Sequence, residues 1–163
     1  MNPRVGIRTG QEFRFQHPGQ SQITRIFCHA CYFVCCVDPA QVEKIWPHVA
    51  HLIRRAMARG GMGRFADVER DVLGANAYLW VAIDAGAVLA AAVTQVTQEN
   101  EARLCTVVAC GGRDWPRWSG LIAGLEDYAR AEDCARIEIA GRPGWRRRLP
   151  DYRLAKIVMR KEL

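Results

Sequence analysis

Arg103-Leu104-Cys105-Thr106-Val107-Val108-Ala109-Cys110-Gly111-Gly112-Arg113-Asp114 is the stretch on which the fold turns. Its first eight residues, Arg103–Cys110, are apolar and β-branched enough to predict a strand, and the two glycines after them mark where the chain changes direction. Asp114 has the residue type that accepts from the first free N–H groups of a helix, so a helix is predicted to start there. Trp118, Leu121, Ile122, Leu125, Tyr128 and Ala129 follow on one helical stripe, which is the pattern of a face packed on a core.

Upstream of that stretch, Tyr78–Asp84 and Ala87–Val96 are two further apolar runs joined by Asp84-Ala85-Gly86, a junction short enough for a hairpin. Thr97–Ala102 is polar and short, so the middle of the chain reads as a three-stranded antiparallel meander. Before it, Cys31–Val37 is an uninterrupted apolar run, predicted to be a strand covered on both faces and central or nearly central in its sheet. Asp38-Pro39 then opens a helix whose apolar positions Val42, Ile45, Trp46, Val49, Leu52, Ile53, Ala56 and Met57 share one face. Pro47 inside it predicts a kink or a division into two helices, and Arg59-Gly60-Gly61 ends it. Phe65, Val68, Val72 and Leu73 mark a shorter second helix stopping near Gly74 and Asn76. Downstream of the stripe, Ile137 and Ile139 alternate with Arg136 and Glu138 in a strand, a short turn or helix carries Trp145, and Tyr152–Arg160 reads as a last strand.

This order predicts an α/β (α+β) fold: a mixed, mostly antiparallel central sheet with helices on its faces. The chain has 163 residues, 50% hydrophobic and 25% charged, which suits one compact domain over 31–163 and excludes two large ones. Residues 1–30 show neither periodicity and are read as a flexible extension. No apolar run reaches the roughly 18–20 residues that span a bilayer. Ile26–Val37 is preceded by mixed residues, interrupted by His29 and followed by Asp38-Pro39, so it is not read as a signal core, and a cytoplasmic protein is expected.

The formal charge is +6, but residues 1–30 carry Arg4, Arg8, Arg14 and Arg25 against Glu12 alone, so half of it belongs to the extension. A nucleic-acid partner is therefore not expected. The seven cysteines are odd in number and scattered, which is no disulfide framework. Cys28-His29-Ala30-Cys31 supplies half of a zinc site with no second Cys-x-x-Cys to complete the tetrahedron, so no metal is expected.

The order of elements, with Ala109-Cys110-Gly111-Gly112-Arg113-Asp114 between a meander strand and a helix, resembles the GNAT superfamily of acyl-CoA-dependent N-acetyltransferases over residues 31–163. The ending from Gly141-Arg142-Pro143-Gly144-Trp145 through Leu149-Pro150-Asp151-Tyr152 to Lys161-Glu162-Leu163 looks most like small, divergent GNAT-like proteins of phages and prophages. The resemblance implies acetyl-CoA or a related acyl-CoA as co-substrate and direct acyl transfer to a small-molecule or peptide amine. In the family the loop after the fourth strand usually reads Gln/Arg-x-x-Gly-x-Gly/Ala, and its N–H groups hold the pyrophosphate at a helix N-terminus. Here Gly111, Gly112, Arg113 and Arg117 are the corresponding cofactor-binding candidates. The full spacing is missing, Asp114 brings negative charge to the corner, and Pro116 removes a donor. A glycine turn into a capped helix with two solvated arginines is the competing reading.

The family commonly uses a carboxylate to take the proton of the amine, and Glu138 is the candidate here, against its reading as a solvent-facing member of an alternating strand. Tyr152 matches the aromatic of a family turn rather than the tyrosine acid. Arg142, Arg146, Arg147 and Arg148 around Trp145 form the densest basic patch; three consecutive arginines cannot all face one way, and Trp145 and Leu149 are expected to anchor the segment in the core. The patch borders the acceptor side in this fold, where it can select an acidic substrate. The alternative to an enzyme is a fold relative that has lost catalysis and serves a binding or structural role. The two differ in whether acetyl-CoA binds at all. A slot for the acyl-CoA in such a fold would lie where the strands after Val93 and before Gly111 splay apart.

Overall fold

The computed structural model describes residues 32–60, 63–155 and 161. Five strands form one sheet in the order β1-β2-β3-β4-β5: β1 is Tyr32–Cys36, β2 Tyr78–Asp84, β3 Ala87–Glu99, β4 Ala102–Gly112 and β5 Cys134–Ile139. Neighbours are antiparallel except β4 and β5, which run parallel because the chain between them crosses over through helices. Both hairpins turn on two residues with positive φ, Ala85 and Gly86 in one and Asn100 and Glu101 in the other, the backbone that matches the twist of paired strands.

Between β1 and β2 lie α1, Pro39–Gly60, and α2, Phe65–Leu73; between β4 and β5 lie the single turn α3, Trp115–Trp118, and α4, Gly120–Ala131. Asp38 Oδ1 accepts the N–H of Ala40 at 2.8 Å, so the predicted start of α1 is realised. The predicted division at Pro47 is not: α1 runs as one helix of 22 residues. Pro47 and Glu43, whose carbonyl loses its usual donor, are both exposed, so water can take the freed oxygen.

Each face of the sheet has its own core. Val42, Trp46, Val49, Ile53 and Met57 of α1 pack with Val68 and Val72 of α2 against Leu79, Val81, Ala91 and Val93. On the other face the stripe Leu121, Ile122, Leu125, Tyr128 and Ala129 of α4 packs against Trp80, Ala92, Cys105 and Val107. The predicted central place for the first strand is corrected. β1 lies at the sheet edge among the described residues, and its apolar run has another cause: Phe33 and Cys35 meet the α1 core while Tyr32, Val34 and Cys36 meet the α4 core. Of the last predicted strand, residues 152–155 have no regular secondary structure and 156–160 lie outside the described residues, as do the extension 1–30 and the half zinc site.

Four thiols are held in these cores. Burial pushes Cys35, Cys36, Cys105 and Cys110 up to about 12 each. An unfolded thiol ionises near pH 8.5, so above that pH the unfolded chain releases protons the folded chain keeps, and stability falls as pH rises towards 12. The slope is about 1.4 kcal/mol per pH unit for each such thiol. Urea midpoints measured at pH 7.5, 9 and 10 are expected to be level at first and then drop; equal midpoints at all three values contradict the burial of these thiols.

Candidate functional site

Pairing of β4 with β5 ends at Val107↔Ile139, with one further bond from the N–H of Ala140 to the carbonyl of Val107 at 3.1 Å. Beyond this point β4 continues to Gly112 beside β3 while the segment after β5 turns away into a 3-10 turn, Pro143–Arg147. The strands around Val93 and Gly111 therefore stay paired, Val93 to Ala109 and Ala91 to Gly111, and the slot opens on the other side of β4. The result is a cleft of about 910 Å³, with α1 on one wall, Val108–Gly112 along its floor, and Arg113–Pro116, Trp118 and residues 140–148 around the rest. The register with β3 skips Val108, a bulge, and over Ala109–Gly112 alternate backbone groups point away from β3, towards the cleft, as the geometry of a paired strand requires.

Gly111 and Gly112 form no turn. They are the last two residues of β4, and the positive φ of this corner falls on Asp114, at 59°. What they provide is close approach. A Cβ on Gly111 would lie 2.7 Å from the carbonyl oxygen of Leu52 in α1, and one on Gly112 would lie 2.6 Å from Ala90 Cβ and 2.8 Å from Trp118 Cε2. The two glycines thus let α1 settle on one face of the strand end and Trp118 on the other. The expected cap is also corrected: the carboxylate of Asp114 makes no capping bond, because its backbone is left-handed and the predicted single helix is broken into α3 and α4.

The cleft is strongly basic. Arg55, Arg59, Arg113, Arg142, Arg147 and Arg148 line it, against Asp114 as its single carboxylate, and none of the six is in an ion pair with another described residue. Arg146 stays outside, as expected when consecutive residues of a tight turn point in different directions. Trp115, Trp118 and Trp145 stack edge to face, with centroids 4.6 Å apart for the first two and 5.4 Å for Trp115 and Trp145, and Arg148 lies 5.0 Å above the Trp115 ring. Trp145 and Leu149 do anchor this segment against the α4 core. The Trp118 side chain is buried and lines the cleft, yet its Nε1 has no hydrogen-bond partner among the described residues.

Of the sequence candidates, Gly111, Gly112 and Arg113 come together in the cleft. Arg117 does not line it; its guanidinium donates to Asp84 at the β2–β3 turn. Glu138 lines neither this cleft nor its neighbour, and it accepts from Arg136 Nε at 3.1 Å. Tyr152 donates to Glu126 of α4 at 2.8 Å, and burial, with that bond second, raises its pKa well above the ordinary phenol range. A shallower annex of about 260 Å³ adjoins the cleft across Met57, Val108 and Ala140 and carries Arg64, Asp67, Asp71 and Gln95. Gln95 Nε2 donates to Asp71 Oδ2 at 3.1 Å, fixing the carboxylate. The annex joins residues from α2, β3, β4 and the β5 end, so no local pattern revealed it. Arg117-Trp118-Ser119-Gly120 does match the Arg-x-x-Gly half of the family loop, at the start of α4 rather than at the glycine pair, a signal present in the sequence. Among the described residues no group of three His, Cys, Asp or Glu is placed to hold a metal, and no helix is long and apolar enough to cross a membrane.

No protein-family model matches this chain, and neither does any curated protein. Solved structures do. A GNAT family acetyltransferase of Staphylococcus aureus is 14% identical, with a TM-score of 0.56 over 82% of this chain and 99% of that one. An aminoglycoside acetyltransferase from an uncultured soil metagenomic sample, in complex with sisomicin, is 11% identical, with a TM-score of 0.60 over 81% and 96%. A predicted acetyltransferase of Clostridium acetobutylicum with acetyl-CoA is 12% identical, with a TM-score of 0.55 over 81% and 95%. The fold is therefore that of the GNAT acyl-CoA N-acyltransferases. Nothing in these likenesses bears on a phage or prophage origin.

Proposed function

We propose that this protein is an acyl-CoA-dependent N-acyltransferase of the GNAT superfamily, moving an acetyl or related acyl group to a small-molecule amine. The observation that carries the reading is the cleft between the diverging β4 and β5, with an open strand edge as floor and Arg113, Arg142, Arg147 and Arg148 around its β4–α3 end. That donor set fits coenzyme A. An extended arm bearing amides can pair with the open edge of Val108–Gly112, and phosphates are matched by Arg113, Arg147 and Arg148 with their planar donors. Support also comes from the Clostridium acetobutylicum structure, which shares the fold and holds acetyl-CoA.

A bound acyl-CoA supplies a thioester carbon open to attack by an amine. The chain's own part is to hold the two reactants in line and to take the charge that develops. β4 fixes the acyl arm along Val108–Gly112, and the annex opens beside it at Val108, so an amine there lies on the side from which it can attack. Asp71, held by Gln95 and paired with Arg70, is the annex carboxylate that would accept the proton of the amine. The amine loses one proton and the departing thiolate gains one; the C–S bond breaks as the C–N bond forms.

Thiol release from acetyl-CoA, followed with a panel of primary amines, tests the reading. Asp71→Asn keeps the shape of the annex and its contact with Gln95 while removing the charge. It is expected to lower the transfer rate at least tenfold, in the range of a lost general base, with acetyl-CoA affinity unchanged. A rate equal to that of the native chain contradicts the role given to Asp71. A chain that binds acetyl-CoA with no transfer to any amine favours the non-catalytic alternative.

A further inference from the structure

The acyl-CoA reading uses Arg113 at the β4–α3 corner and Arg142, Arg147 and Arg148 in and beside the 3-10 turn, and leaves Arg55 and Arg59 unexplained. These two stand four residues apart on α1, hence on one face of the helix, both exposed and both lining the cleft. Arg59 lies in the last turn, where a cation complements the helix dipole. Arg55 is a full turn earlier and has no such cause. Neither is in an ion pair with another described residue.

Their position relative to the sheet separates them from the corner. α1 packs on the face that also carries α2, whereas Trp118 and the α4 core lie on the opposite face. Met57, between the two arginines in sequence, lines both the cleft and the annex, so the α1 wall leads directly to Asp67, Asp71 and Gln95. A molecule lying along this path meets the guanidinium groups of Arg55 and Arg59 and then the carboxylates of Asp67 and Asp71, which Arg70 pairs from the same helix and which share the annex with Arg64. Resting on the acyl-CoA reading, we propose that the acceptor is a small amine that also carries an anionic group, a carboxylate or a phosphate, held by Arg55 and Arg59 while its amine sits at Asp71.

The test is calorimetric titration of matched amines into the protein saturated with coenzyme A, so that the phosphate corner is already filled. O-phosphoethanolamine is compared with ethanolamine for the phosphate arm, and β-alanine with propylamine for the carboxylate arm. In at least one pair the anionic member is expected to bind at least tenfold more tightly, and the better arm identifies the group. R55Q/R59Q should abolish that preference while changing coenzyme A affinity less than threefold, with an unaltered melting temperature. Equal binding within both pairs overturns the proposal. So does a large loss of coenzyme A affinity in R55Q/R59Q, which would place these arginines at the cofactor phosphates. Failure of the native chain to bind coenzyme A at all is a different result and removes the acyl-CoA reading itself.

Discussion

A chain in which Arg113, Arg147 and Arg148 are all replaced by glutamine is expected to bind acetyl-CoA about a hundredfold more weakly than the native protein, with its melting temperature little changed. The three side chains line one cleft and none is in an ion pair with another described residue, so removing their charge breaks no such internal contact. The cation–π contact of Arg148 with Trp115 is exposed and worth at most about 1 kcal/mol. Hydrogen bonds from a cation to phosphate contribute about 1.5 kcal/mol each at the low end, so the loss of two gives about 3 kcal/mol, or roughly two powers of ten in affinity. Native binding should weaken as salt is raised, and the variant should be much less sensitive to salt. An affinity within threefold of the native value would take the phosphates away from this corner.

Trp80→Ala should have the largest effect on stability. Trp80 is 1% exposed, packs edge to face on Tyr128 at 4.9 Å and donates its indole N–H to Thr94 Oγ1 at 2.9 Å. Truncation leaves a cavity and strips a wholly buried hydroxyl of its donor, at a cost of about 3–5 kcal/mol. At roughly 2–4 °C per kcal/mol for a chain of this size, the melting temperature should fall by about 10 °C. Because Tyr128 belongs to α4, the same contact fixes the helix that follows the phosphate corner, and acetyl-CoA affinity should fall with it. Differential scanning calorimetry checks the first effect and titration the second; a melting temperature within 2 °C of native would mean that Trp80 does not carry this face of the core.

Much of this architecture was legible because it is written in short-range patterns. Asp38-Pro39, the stripe from Leu121 to Ala129 and the junction at Ala85-Gly86 each state a local backbone preference that the tertiary structure has no reason to override. β1 was misplaced for a physical reason: an apolar run shows that both faces of a strand are covered, and says nothing about neighbours in the plane of the sheet. Asp114 was expected to cap because aspartate usually does, but close packing of Trp118 on Gly112 draws the chain into a left-handed residue there.

The site was legible only in part. Gly111, Gly112 and Arg113 are adjacent in sequence and remain adjacent in space. Arg55 and Arg59 look like the solvated side of an amphipathic helix, and only the descent of α1 onto β4 turns them towards the cleft. Asp71 and Gln95 are 24 residues apart and meet through the packing of α2 on the sheet. Glu138, attractive on its strand, is engaged by Arg136, the residue two positions earlier that strand alternation puts on the same face.

The central claim is that the gap between β4 and β5 receives acyl-CoA, and thermal unfolding of the native chain with increasing acetyl-CoA tests it most directly. A ligand bound only to the folded state at a hundred times its dissociation constant adds about 2.7 kcal/mol, so the melting temperature should climb by several degrees and go on rising with ligand concentration. A melting temperature that stays constant up to millimolar acetyl-CoA would contradict the account, leaving the fold in place without its proposed occupant.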